Sequence, residues 1–116
     1  MPTLDTSTNH TRMVLRKGED FFYDFEFWDK PEEEGGVMVP LIDAWGKVED
    51  KYDNTVLVDF VDYITIVDGV CELRLTGVVI ATLPTIERAV QQLFGRTDGD
   101  EVVFLSRGDA QIREDV

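Results

Sequence analysis

The chain has 116 residues, which suits one domain of ordinary size and leaves too little chain for two. It carries 24 Asp and Glu against 11 Lys and Arg, a formal net charge of −13. So acidic a chain is repelled by phosphate groups, which disfavours nucleic acid and anionic membrane surfaces as partners. No apolar run reaches the roughly 20 residues of a membrane-spanning helix.

Residues 1–10 are small and polar and have no hydrophobic periodicity. They predict a flexible N-terminal arm, with an arm that orders against a neighbouring subunit as the alternative. Residues 11–116 then form a single folded domain.

The clearest strand begins at Phe21, where side chains alternate with period two. One face collects Phe21, Tyr23, Phe25 and Phe27, and the other collects Phe22, Asp24, Glu26 and Trp28. Residues 29–36 follow with a proline, an acidic run and two glycines, which predict an exposed hairpin loop.

Further short strands are predicted at 37–41, 44–49, 56–58, 63–67, 70–75, 101–105 and 110–113. Asp68-Gly69 is a strong hairpin-turn signal, and residues 76–84 predict a short helical turn. Many short strands separated by turns at this spacing predict an all-β fold, a single antiparallel β-sandwich.

Residues 86–94 fit two structures. Their apolar positions, which recur at helical spacing, favour an amphipathic helix: Ile86, Ala89, Val90, Leu93 and Phe94. The Asp98-Gly99 turn and the strand after it instead make this segment the first arm of a hairpin.

Residues that carry catalysis are scarce. His10 is the only histidine and lies in the predicted arm, so no Ser-His or Cys-His pair is expected in the folded domain. Cys71 alternates with leucines and is expected to be a core residue. Residues 98–101 offer carboxylates that suit Ca²⁺, but their spacing is that of a solvated hairpin tip. We therefore predict no catalytic residue, no metal and no cofactor.

The candidate binding residues are aromatic and acidic side chains outside the predicted core. Phe22 and Trp28 fall on the polar face of the first long strand, and Trp45 shares a face with charged neighbours, as contact anchors commonly do. Partial covering of both sheet faces is the alternative explanation. The run Glu32, Glu33 and Glu34 is either a solvated loop or a contact to a basic partner.

The order of turn and strand residues resembles a known family. The matching segments, in chain order, are Arg16-Lys17-Gly18-Glu19-Asp20-Phe21, Val39-Pro40-Leu41, Ile66-Val67-Asp68-Gly69, Leu73-Arg74-Leu75-Thr76, Leu83-Pro84, Asp98-Gly99, Val103-Phe104-Leu105, Gly108 and the Ile112–Val116 end. This order resembles the immunoglobulin-like β-sandwich of tailed-phage virion proteins, among them the N-terminal domain of phage baseplate upper proteins. The chain departs from that pattern in a shorter segment after Leu41 and in the helical period of residues 86–94.

The resemblance implies an immunoglobulin-like sandwich with a strand at 86–94. It also implies a non-enzymatic structural protein of the bacteriophage virion, made in the host cytoplasm. Its partners would be other virion proteins of the tail, neck or baseplate, in a symmetric multi-copy assembly. Capsid decoration is the near alternative. Two alternatives of other classes are an acidic DNA mimic that inhibits a host protein, and carbohydrate binding through Trp28 and Trp45.

Overall fold

The computed structural model describes residues 12–114, so the predicted arm at 1–10 lies outside the described residues. Strands account for most of the described chain, which confirms the all-β prediction. The elements in chain order are β1 (Met13–Arg16), β2 (Phe21–Phe25), β3 (Phe27–Trp28), a first 3₁₀ turn (Glu32–Glu34), β4 (Met38–Val39), β5 (Leu41–Asp50), β6 (Val56–Asp59), a second 3₁₀ turn (Phe60–Tyr63), β7 (Ile64–Val67), β8 (Val70–Leu75), α1 (Gly77–Ala81), β9 (Ile86–Thr97) and β10 (Val102–Arg113).

The strands form a five-stranded sheet in the order β1-β10-β9-β5-β6, a three-stranded sheet in the order β2-β8-β7 and the small pair β3-β4. The pairing differs from the antiparallel prediction at β1, which runs parallel to β10. A parallel pair needs a long connection, and nearly the whole domain separates these two strands. The short turn after β1 leads instead into β2 of the other sheet, so no hairpin sets the direction of β1.

The core is formed by residues from both larger sheets. Leu93 and Leu105 of the five-stranded sheet and Leu73 and Leu75 of the three-stranded sheet are all within one buried cluster. Along β5 the burial alternates as the sequence predicts: Val48 is buried and its neighbours on either side are half-buried. Cys71 is 0% exposed within the same cluster, which confirms its predicted place in the core.

Residues 86–94 are part of strand β9, so the helix that periodicity favours is wrong. β9 pairs with β10 on one side and with β5 on the other, and both pairings are antiparallel. Its inward positions alternate from Ala89 to Thr97, while Val90 and Phe94 point away from the core. The helical period arose because apolar residues of both faces of one strand were read as a single stripe.

The predicted helical turn near 76–84 is α1, a helix of 5 residues. The Thr76 hydroxyl accepts a hydrogen bond from the Val79 amide at 3.3 Å, and the Asp20 carboxylate accepts one from the Gly77 amide at 2.8 Å. These caps satisfy amides that a helix start leaves unpaired. No helix within residues 12–114 is long and apolar enough to cross a membrane.

The Cys71 thiol is expected to be unreactive in the folded protein. Burial, followed by the nearby Asp24 carboxylate, raises the pKa of the thiol to about 12, so thiolate is scarce at neutral pH. A disulfide reagent at about pH 8 should leave the native protein unmodified and should label it fully in denaturant. Rapid labelling of the native protein would contradict this burial.

Candidate functional site

Three aromatic side chains form a ladder across the outer face of the five-stranded sheet. The register places Trp45 of β5 opposite Phe94 of β9, and Phe94 opposite Phe104 of β10. The Trp45 and Phe94 rings stack with centroids 5.9 Å apart, and the Phe94 and Phe104 centroids are 4.7 Å apart. All three residues are half-buried, so the ladder presents a continuous aromatic strip to solvent.

An arginine lies over each end of this aromatic ladder. The Arg96 guanidinium is 5.6 Å from the Trp45 ring centroid, and that of Arg107 is 4.7 Å from the Phe104 centroid. Arg96 is also fixed by an ion pair with Asp100 at 2.9 Å. Cation–π contacts of this kind hold both guanidinium groups against the sheet.

Depressions flank the ladder on both sides. One depression, of about 460 Å³, is lined by Trp45 and Lys47 of β5, by Asp59 at the end of β6 and by Val61 of the second 3₁₀ turn. The other, of about 360 Å³, lies beside Phe104 and is lined by Val90, Gln92, Arg107 and Asp109. The face thus combines an aromatic ridge with polar hollows. This arrangement can receive protruding side chains of a partner.

Phe22, a predicted contact residue, lies on the outer face of the three-stranded sheet and is 48% exposed. The Arg74 guanidinium lies 5.5 Å from its ring centroid. Arg74 also forms an ion pair with Asp24 at 2.7 Å and reaches Glu72 at 3.6 Å. Asp24 is only 3% exposed, although sequence alternation assigned it to the polar face.

The remaining predicted contact residues belong to the small hairpin of β3 and β4. Trp28 is half-buried opposite Met38. Glu32, Glu33 and Glu34 form the exposed 3₁₀ turn of the connecting loop, which ends at Gly35 in the left-handed conformation. The structure therefore distributes the predicted contact residues over the five-stranded sheet, the three-stranded sheet and this hairpin, and joins only Trp45 to a larger aromatic surface.

Phe94 and Phe104 are the site residues that sequence reasoning did not select. The usable signal was the period-two spacing of Val90, Gln92, Phe94 and Arg96, which places these side chains on one face of a strand but would distribute them around a helix. Their alignment with Trp45 depends on the register of three strands. That register also passes through an irregularity between Phe104 and Ser106.

Within residues 12–114, no group of three or more His, Cys, Asp or Glu side chains is placed to hold a metal ion. The candidate Ca²⁺ residues at 98–101 close the turn between β9 and β10, where the Thr97 amide donates to the Glu101 carbonyl at 2.9 Å. Asp100 is engaged with Arg96 instead. No protein-family model matches the chain, and no curated protein matches it.

Proposed function

We propose that this chain is a non-enzymatic structural protein of a tailed-phage virion, an immunoglobulin-like β-sandwich that binds other virion subunits in the tail, neck or baseplate. The observation that carries the proposal is the aromatic ladder with its two arginines. Half-buried aromatics and arginines are the residues that contribute most to protein–protein contacts. The sequence resemblance supplies the virion as the setting.

Charge supports the same surface as the contact. The protein as a whole is strongly acidic, so an acidic neighbour is repelled except where cations are exposed on the surface. The ladder face carries Lys47, Arg96 and Arg107 close to its aromatic rings. Lys47 and Arg96 are paired with Glu49 and Asp100, whereas Arg107 forms no ion pair within residues 12–114. Arg107 is therefore the cation left to meet an acidic group of a partner, while the rings supply apolar area to bury.

The proposal is tested by incorporation of a tagged chain into phage particles, measured by mass spectrometry of gradient-purified virions. We expect Phe94→Ala to reduce incorporation by about tenfold or more, because a central anchor of the contact is truncated. Val78→Ala is the matched control, since Val78 is an apolar residue 79% exposed on α1, remote from the ladder. Circular dichroism melting confirms that both variants are folded.

The outcomes separate the parts of this proposal. Absence of the unmodified chain from particles would overturn the virion assignment. Normal incorporation of folded Phe94→Ala would overturn the ladder as the contact. The copy number per particle distinguishes the tail, neck or baseplate, with small multiples of a ring symmetry, from capsid decoration, with hundreds of copies.

A further inference from the structure

The charges of this protein are unevenly placed along its long axis. The molecule measures 43 × 25 × 25 Å, and β5 and β9 run along its length. Three loops meet at one end, where the Asp98 amide donates to the Pro40 carbonyl at 3.1 Å and the Leu41 amide donates to the Gly69 carbonyl at 2.9 Å. We call this the acidic end. Its loops carry Asp68, Asp98, Asp100 and Glu101. The β3–β4 hairpin, whose loop carries Asp29, Lys30 and Glu32–Glu34, leads into this end through Pro40.

The opposite end holds a depression of about 350 Å³ lined by three cations, Arg12, Lys51 and Arg88. We call this the basic depression. The Lys51 amide donates to the Arg88 carbonyl at 3.2 Å, which joins the end of β5 to the start of β9. Asp109 and Glu87 also line it.

The side chains of the basic depression are held in place by neutral groups. Arg12 donates to the Gln111 side-chain oxygen at 2.7 Å. Arg88 donates to the Tyr52 hydroxyl and lies 5.9 Å from the centre of its ring. These contacts orient the guanidinium groups without neutralising them.

The basic depression and the Glu32–Glu34 turn both contain charged side chains that form no ion pair within residues 12–114. Within residues 12–114, no carboxylate forms an ion pair with Arg12, Lys51 or Arg88, whereas Lys47, Arg74 and Arg96 each have an acidic partner. The three carboxylates of the first 3₁₀ turn likewise have no ion pair inside this part of the chain. The basic depression thus contains three cations that form no ion pair within residues 12–114, against the two carboxylates of Glu87 and Asp109, so its lining is net positive in a chain with more than twice as many acids as bases.

We propose that copies of this chain associate head to tail, with the Glu32–Glu34 turn of one copy seated in the basic depression of the next. The turn is short, exposed and closed by Gly35, so its carboxylates form one compact anionic projection. Guanidinium groups bind carboxylates through strong charge-assisted hydrogen bonds. Such a contact joins two different surfaces, the turn of one copy and the depression of the next. Each copy therefore keeps one of each surface free for a further copy, and repetition of the contact builds a ring or a filament.

The contact uses neither the aromatic ladder nor a virion partner, so it is tested on the purified chain by sedimentation velocity over a concentration series. We expect Glu33→Lys to weaken self-association by about tenfold or more. Asp62→Lys makes the same change in net charge at an exposed site of the second 3₁₀ turn and is the matched control. On the basic side, Lys51→Glu should weaken association, whereas Lys30→Glu, with the same charge change at the acidic end, should not.

A mixing experiment separates a lost contact from a lost fold. One partner carries Glu32→Lys, Glu33→Lys and Glu34→Lys, and the other carries Lys51→Glu with Arg88→Glu. Each variant alone should sediment as a monomer, and an equimolar mixture should associate again because unlike ends are restored. A monomeric unmodified chain at every concentration, equal losses in the controls, or a mixture that stays monomeric would each overturn the proposal.

Discussion

Arg74→Met is expected to lower the free energy of unfolding by about 2–4 kcal/mol, because it leaves a buried carboxylate without its cation. The Asp24 side chain is only 4% exposed and lies 2.7 Å from the Arg74 guanidinium. Arg74 also donates to the backbone carbonyls of Tyr23 and Leu73, each at 3.1 Å. One side chain thus neutralises a charge and satisfies carbonyls of both β2 and β8. Chemical denaturation followed by circular dichroism measures the loss.

Two further variants make this measurement specific. Asp24→Asn in the Arg74→Met background should recover part of the lost stability, since it removes the unpaired charge. Arg113→Met deletes a comparable cation at an exposed position of β10 and should change stability by less than about 0.5 kcal/mol. Equal stability of Arg74→Met and the unmodified protein would mean that the Asp24 carboxylate does not depend on this ion pair.

The sequence predicted the strands well because alternation is local. β5 follows from side chains two positions apart, whereas the strand predicted over residues 21–28 is interrupted at Glu26 between β2 and β3, and Tyr23 of its predicted apolar face is 37% exposed. The Asp68-Gly69 turn follows from the need for positive φ, which both residues show. The parallel β1–β10 pair was not predictable in this way, because it depends on how two distant segments meet at a sheet edge. The burial of Asp24 was not predicted for a related reason. Alternation shows which face of a strand a side chain occupies, but it does not show what covers that face.

The candidate site was predictable only in part. Trp45 was selected because it shares a strand face with the charged Lys47 and Glu49, a feature of its own strand. Phe94 and Phe104 join it through cross-strand register, which the sequence alone does not give. The acidic end is likewise assembled from three loops distant in sequence. The Glu32–Glu34 run and the carboxylates at 98–101 were each visible as a local cluster beforehand, but their placement relative to the other loops was not.

Phe60→Ala is expected to lower the free energy of unfolding by about 3–5 kcal/mol, because it opens a cavity at the junction of the two large sheets. Phe60 is 0% exposed and begins the second 3₁₀ turn, which carries the chain from β6 to β7. The turn is fixed by the Asp59 carboxylate, which accepts from the Val61 amide at 3.0 Å. Val61→Ala alters the next residue, which is 58% exposed, and should cost less than about 0.5 kcal/mol.

Phe60→Ala is also expected to disturb the aromatic ladder from the core side of the sheet. A Cβ atom at Gly46 would lie 3.0 Å from Cδ2 of Phe60, so the ring packs directly under the strand that presents Trp45. Loss of the ring therefore removes support below β5, and the Trp45 environment should become more polar. A Trp28→Phe background isolates the emission of Trp45, which should shift to longer wavelength in Phe60→Ala and not in Val78→Ala, a change at an exposed residue of α1. An unshifted emission in a destabilised Phe60→Ala protein would show that the ladder is held by its cross-strand stacking alone.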